Sequence, residues 1–262
     1  MKHARHHLLA LALLVPASIA FAQVTPPGID PTHYWTYTNL QTAPPEPTPI
    51  AVQDQFYRQP IPVTVDRLER LLNWVRKNNS AVPDTLLHYT WWNLVEKLPT
   101  PRRVIVTNQF GSHVVQVNNL EFLLAPALKN PNAATGPTPP PANHYLCYRA
   151  TGFPGPPNTY DLVDEWKVDT QHPGDLEFLC TPCLKEHNGQ IFPPVDTVTH
   201  YAVYPINPHS DNFVPFTVDQ FGPHPLFVTQ VPPEYLFVPS TKAELPTDVR
   251  KSTWSRLKQL YH

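Results

Sequence analysis

One motif recurs four times at an almost constant interval, and that recurrence limits the folds open to the chain more than any other feature. A histidine–tyrosine pair stands at His33-Tyr34, His88-Tyr89, His144-Tyr145 and His200-Tyr201, at intervals of 55, 56 and 56 residues. A second aromatic follows each histidine by four residues, as Tyr37, Trp92, Tyr148 and Tyr204. Further on comes a polar pair capped by a ring: Asp54-Gln55-Phe56, Asn108-Gln109-Phe110, Asp164-Glu165-Trp166 and Asp219-Gln220-Phe221. A third block closes each copy, with fixed columns Glu69, Glu121, Glu177 and Glu234, then Leu71, Leu123, Leu179 and Leu236, then Lys77, Lys129, Lys185 and Lys242. Three blocks in one order at one period mark four diverged copies of a unit of about 56 residues.

The local pattern within each copy is that of strands. Ile50, Val52 and Phe56 alternate with polar residues, as do Val104, Val106 and Phe110, which is the period of a half-buried strand. The chain carries 35 prolines against 8 glycines, which breaks helices and suits short strands joined by stiff loops. One segment disagrees: 66–77 places Leu68, Leu71, Leu72 and Val75 at helical spacing behind a capping-box-like Asp66 and Glu69. Its fourth-copy counterpart contains Pro232, Pro233 and Pro239, which a helix interior does not tolerate, so the repeat register predicts strand.

The even copies share more with each other, Gln109-Phe110-Gly111-Ser112-His113 matching Gln220-Phe221-Gly222-Pro223-His224. This predicts an all-β fold of four tandem repeats paired into two similar sandwich- or barrel-like domains, 33–129 and 144–242, joined by the proline-rich linker 130–143. Residues 23–32 are read as a leading linker. The tail 243–262, with Val249, Trp254, Leu257 and Leu260, is expected to end in a short helix.

Residues 1–22 read as a cleaved export signal: Lys2 and Arg5, an apolar run from Leu8 to Val15, and Ala20-Phe21-Ala22 before Gln23. That run is too short to span a bilayer, so an integral membrane protein is not expected. The expected location is the periplasm or the cell exterior. Without Lys2 and Arg5 the chain has 17 basic and 21 acidic residues, and it lacks a basic, aromatic-interleaved patch, which argues against nucleic acid as a partner.

The order H-[FY]-x-C-Y, V-x-[DN]-Q-F-G, L-C-x-P-x-x-K resembles an uncharacterised repeat-domain family of secreted bacterial and archaeal proteins. The likeness is carried by His144 to Tyr148 with Leu179 to Lys185, by Asn108 to Gly111, and by Asp219 to Gly222 with Leu236 to Lys242, and it extends over most of 33–242. It implies architecture and export and brings no activity, cofactor or catalytic residue. Copy one departs from it, with Trp74 where the others have proline.

Three cysteines remain: Cys147, Cys180 and Cys183. Export makes a disulfide the default. Cys147 and Cys180 occupy two columns that elsewhere hold Thr36 and Leu72, Trp91 and Leu124, and Val203 and Phe237, so the expected bridge joins Cys147 to Cys180 and leaves Cys183 a thiol. Two alternatives stand beside it: redox chemistry at Cys180-Thr181-Pro182-Cys183, and zinc held by Cys147, Cys180, Cys183 and His187. The recurring histidines, glutamates and lysines are read as structural, the last two as salt bridges or loop caps.

The triplets carry the one functional idea. An acid, an amide and a ring face together hold a sugar, so Asp54, Gln55, Asn108, Gln109, Asp164, Glu165, Asp219 and Gln220 are candidate ligand residues. No catalytic motif is present and no cofactor is expected. The leading expectation is an exported, non-catalytic structural or adhesive protein that meets a cell-surface glycan or protein. The alternatives are a carbohydrate-binding module and an exported enzyme with a site between the two domains.

Overall fold

The structure, a computed structural model, describes residues 26–39, 47–78, 80, 86–130, 139, 141–208, 214–228 and 234–245. The expected export signal, most of the 130–143 linker and the expected tail helix lie outside them. Copy one forms β1 (His33–Thr38), β2 (Thr48–Gln53) and β3 (Ile61–Lys77). Copy two forms β4 (His88–Leu94), β5 (Pro99–Asn108) and β6 (Gly111–Lys129). Copy three forms β7 (His144–Thr151), β8 (Tyr160–Val163), β9 (Val168–Gln171), β10 (Phe178–His187) and β11 (Gln190–Phe192). Copy four forms β12 (His200–Ile206), β13 (Phe216–Asp219), β14 (Gly222–Pro225) and β15 (Glu234–Glu244). The all-β expectation holds, and 66–77 is strand.

Each copy gives two strands to one closed antiparallel ring, ordered β1-β3-β4-β6-β7-β10-β12-β15 and back to β1. The ring follows chain order, so it is an up-and-down barrel of eight strands. Between its two ring strands each copy inserts a hairpin arm that ends in the triplet: β2 with β3, β5 with β6, β8 with β9, and β13 with β14. The long strands β3 and β6 serve ring and arm in turn. Register shifts between Val65 and Arg70, and between Val117 and Phe122, bend them where they change roles. That bend and burial on both faces erase the period of two, and so 66–77 resembles a helix in sequence.

The arms interlock the copies diagonally. The copy-one arm pairs with the copy-three strand β10 (Lys185 opposite Val52), and the copy-two arm with β15 (Lys242 opposite Val106). The copy-three arm pairs with β3 (Lys77 opposite Leu162), and the copy-four arm with β6 (Lys129 opposite Thr217). This corrects the expected division into domains 33–129 and 144–242. β6 and β7 pair across the expected linker, β1 closes on β15, and each arm crosses to the other half. The two halves interleave, so among the described residues the expected enzyme site has no boundary between separate domains at which to form. The likeness of the even copies has a local cause. Gly111 and Gly222, at φ 131° and 119°, each close an arm with a two-residue turn, and the odd copies turn without glycine.

The core has two shells. Inside the barrel, Tyr34, Tyr89, Tyr145 and Tyr201 form a closed ring of edge-to-face contacts with centroids 5.2, 5.8, 5.1 and 5.8 Å apart. Below them Trp91 stacks on Phe122 at 3.4 Å and meets Phe178, Tyr235 and Phe237. An eight-stranded barrel is just wide enough to be filled by side chains, and this one is filled. The second shell, including Trp35, Tyr37, Leu71 and Trp92, lies between the ring strands and the arms.

Candidate functional site

The candidate ligand residues sit at the arm tips, and their placement follows one scheme in all copies except at Glu165. The first residue turns back on its own arm: a side-chain oxygen of Asp54, Asn108, Asp164 and Asp219 accepts the backbone N–H two residues on, at 2.7–2.8 Å. The rest of each side chain engages the diagonal copy. Asp54 accepts from Tyr148 Oη at 2.8 Å and from Thr181 Oγ1. Asn108 donates to Tyr204 Oη and Ser240 Oγ. Asp164 accepts from Trp35 Nε1, Tyr37 Oη and Asn73 Nδ2, at 2.7, 2.7 and 2.6 Å. Asp219 accepts from Thr90 Oγ1 and Trp92 Nε1, at 2.6 and 2.8 Å. All four are buried, with their polar atoms taken up by protein. The second aromatic of each repeat thus receives the arm tip of the copy two places away.

The triplet ring packs edge-on against that same aromatic: Phe56 on Tyr148, Phe110 on Tyr204, Trp166 on Tyr37 and Phe221 on Trp92, with centroids 5.0–5.3 Å apart. Each such pair contributes about 0.5–1.5 kcal/mol beyond its burial. Phe56 is buried, and the other three are partly covered.

The second triplet residue reaches a neighbouring copy. Gln55 meets His200 Nε2 at 2.7 Å, Gln109 meets His33 Nε2 at 2.5 Å, and Gln220 meets His144 Nε2. Nδ1 of His33 donates to Pro31 O, and that of His200 to Val198 O, at 3.0 and 2.8 Å. In His33 and His200 the ring nitrogen facing the glutamine is therefore the acceptor, and the imidazole is neutral. Burial, reinforced by the lysine of the same copy for His33 and His144, holds these two down at about 3 and His200 at about 4. Copy three differs: Glu165 pairs instead with Lys129.

The lysine column does not pair with the glutamate column as expected. The two lie eight residues apart on one strand, about 27 Å at ~3.4 Å per residue. Each lysine covers the triplet ring of the following copy: Lys77 over Phe110, Lys129 over Trp166, Lys185 over Phe221 and Lys242 over Phe56, at 5.7, 3.9, 4.6 and 4.9 Å. Three of the glutamates take other partners: Glu69 pairs with Arg67, Glu121 with Lys97 and Glu177 with Arg149. Lys185 is fully buried between Phe221 and Phe192, its ammonium has no hydrogen-bond partner among the described residues, and burial brings its pKa to about 7. We expect Lys185→Met to change stability by less than about 1 kcal/mol in denaturant titration. The lost cation–ring attraction is offset by the relieved burial of charge and by sulfur–ring contact.

Cys147 and Cys180 are opposite each other in the β7–β10 register and are joined, with Cα atoms 4.0 Å apart. Their columns are cross-strand neighbours inside the barrel. Closing a separation of 33 residues contributes about 3–4 kcal/mol in the loop-entropy account. Cys183 is a buried thiol in the outer shell, on the opposite face of β10 from Cys180. That geometry speaks against both alternatives: the two C-x-x-C sulfurs lie on opposite faces of β10, and Cys147 and Cys180, two of the four alternative zinc donors, are taken up by the disulfide.

Two clefts open beside the glutamine–histidine pairs. One is lined by Gln53, Asp54, Gln55, Pro182, Pro194 and Thr197, the other by Pro126, Pro139, Pro141, His144, Phe192 and Gln220. They occupy equivalent places, since Gln55 and Gln220 share one repeat column and Pro182 and Pro126 another.

No curated protein and no solved structure matches the chain. A family model does: it begins at His88, ends at Pro239 and so takes in copies two to four, more than half of the sequence. The chain belongs to the family described as a repeat of unknown function, DUF7450.

Proposed function

We propose that this is an exported, non-catalytic β-barrel protein with a structural or adhesive role in the periplasm or at the cell surface. The observation that carries the reading is the use to which the repeated polar columns are put. The Asp, Gln, His and Lys columns of the repeat are engaged in contacts between copies, and the barrel interior is packed with aromatic side chains. Histidines held neutral well below their ordinary range and carboxylates saturated by protein donors are poorly placed for acid–base work. Export is supported by the sequence of residues 1–22 and by the internal disulfide, which belongs to an oxidising compartment.

A carbohydrate-binding role is the second reading. It is supported by the paired clefts, where Gln55 and Gln220 stand beside apolar prolines and, in one cleft, Phe192. The full chain produced with its own leader in the native cell tests both. We expect protein that begins at Gln23, carries the Cys147–Cys180 bridge and sediments with washed cell envelopes. Cytosolic protein with an intact leader would refute export. Free soluble protein that retains specific members of a glycan array would favour the second reading over the first.

A further inference from the structure

Copy three is the one copy with an acid at the second position of its triplet, Glu165, where the others have Gln55, Gln109 and Gln220. Copy one is the one copy with a carboxamide four residues before the column lysine: Asn73, against Ala125, Thr181 and Val238. These departures, in different copies and far apart in sequence, meet at one point in the fold. The Lys129 ammonium donates to Asn73 Oδ1 at 3.0 Å and pairs with Glu165. Asn73 Nδ2 donates to Asp164 Oδ2 at 2.6 Å. Asn73 is fully buried, and Trp166 roofs the Lys129 nitrogen at 3.9 Å.

We infer that Lys129 and Asn73 join through a self-formed isopeptide bond, with the Asp164–Glu165 pair moving the protons. With Oδ1 in hydrogen-bond contact with Nζ, the amine is held beside the Asn73 carboxamide whose carbon it attacks. Burial lowers the Lys129 pKa to about 8, which raises the fraction of free amine, the nucleophilic form. The Nζ lone pair forms the new C–N bond at Asn73 Cγ, and the Cγ–Nδ2 bond breaks. One proton leaves Nζ through Glu165 and one arrives at Nδ2, which Asp164 holds, so that ammonia departs. No oxidant, metal or co-reactant enters the balance. Glu165 is partly exposed, which gives the ammonia a route to solvent. The product ties β3 to β6, fixing copy one to copy two as the disulfide fixes the two ring strands of copy three.

The test is mass spectrometry of the purified, fully reduced exported protein. We expect an intact mass about 17 Da below that of the sequence, the mass of one ammonia. Cyclisation of an N-terminal Gln23 sheds the same mass, so the loss must be localised by tryptic mapping. The expected map has no cleavage after Lys129 and one branched peptide joining it to Asn73. Glu165→Gln restores the residue the other copies carry, and it is expected to fold with an unchanged circular dichroism spectrum and to lack the branch. Linear peptides at both residues in the wild type would overturn the proposal. So would a branch from Lys129 to Glu165 formed with loss of water, and so would an Asn73 branch that persists in Glu165→Gln.

Discussion

Moving the protein from pH 7.5 to pH 5 is expected to remove about 6 kcal/mol of its stability. Three histidines carry the effect. His33, His144 and His200 are buried and neutral in the folded protein, with pKa values of about 3, 3 and 4. In the unfolded chain each returns to about 6.5. Between those limits the unfolded state binds more protons, so stability falls as pH falls. The contribution is fully present above about pH 6.5 and is lost progressively down to the folded values. At pH 5 each histidine has given up about 2 kcal/mol, at ~1.4 kcal/mol per pH unit. Asp196 and Glu96, both held below the ordinary carboxylate range, act in the same direction at lower pH. Asp54, raised by burial, acts against it and offsets part of the loss. Domains of ordinary stability have about 5–15 kcal/mol to lose. Urea midpoints at the two pH values measure the change. A midpoint that moves by less than the equivalent of about 1 kcal/mol would mean that the glutamine–histidine contacts admit water or protonate in place.

The repeat columns were legible as structural, and the reason is physical. A residue that does the same job in each copy recurs at the period of the fold, as Lys77 and its equivalents do in four copies and His33 and its equivalents do in three, whereas the triplet residues, read as ligand groups, gave no such sign. The partner of each column was not legible, because the period is blind to which copy an arm reaches. Glu69 and Lys77 look like partners in sequence, yet Lys77 lies over Phe110 of the next copy. The cysteines were the exception. Two columns that change together in one copy name a contact directly, and Cys147 and Cys180 proved to be cross-strand neighbours. Asn73 and Glu165 depart from the repeat in two different copies, and a comparison made one copy at a time does not join them. The division at 130–143 misled because a proline-rich sequence has the composition of a linker between domains, whereas the strands on either side of it, β6 and β7, pair as neighbours in one barrel.

Trp91→Ala is expected to cost about 3–5 kcal/mol, the range for deleting a buried tryptophan. In sequence the column served only to place Cys147, because it reads Thr36, Trp91, Cys147 and Val203, with nothing shared to mark the tryptophan. That variability is what a filled barrel requires. The four residues point inward toward one axis, and an eight-stranded barrel has too little room there for four large side chains. One copy supplies the indole, and the others supply a threonine, a half-cystine and a valine around it. Trp91 stacks on Phe122 and touches Phe178, Tyr235 and Phe237, and Arg70 lies over its ring at 5.1 Å. Every copy meets at this side chain, so its removal leaves a cavity bounded by closed strands that have little freedom to collapse, and the cost should fall at the upper end of the range. Thr36→Val, in the same column, changes shape by little and is expected to act through the lost acceptor for the Tyr235 N–H rather than through volume, since Tyr235 N donates to Thr36 Oγ1 at 2.8 Å. Denaturant midpoints of the two variants separate volume from hydrogen bonding at the barrel axis. A Trp91→Ala loss below about 1 kcal/mol would show that the interior repacks freely and that the column tolerates substitution because it is loose, not because it is full.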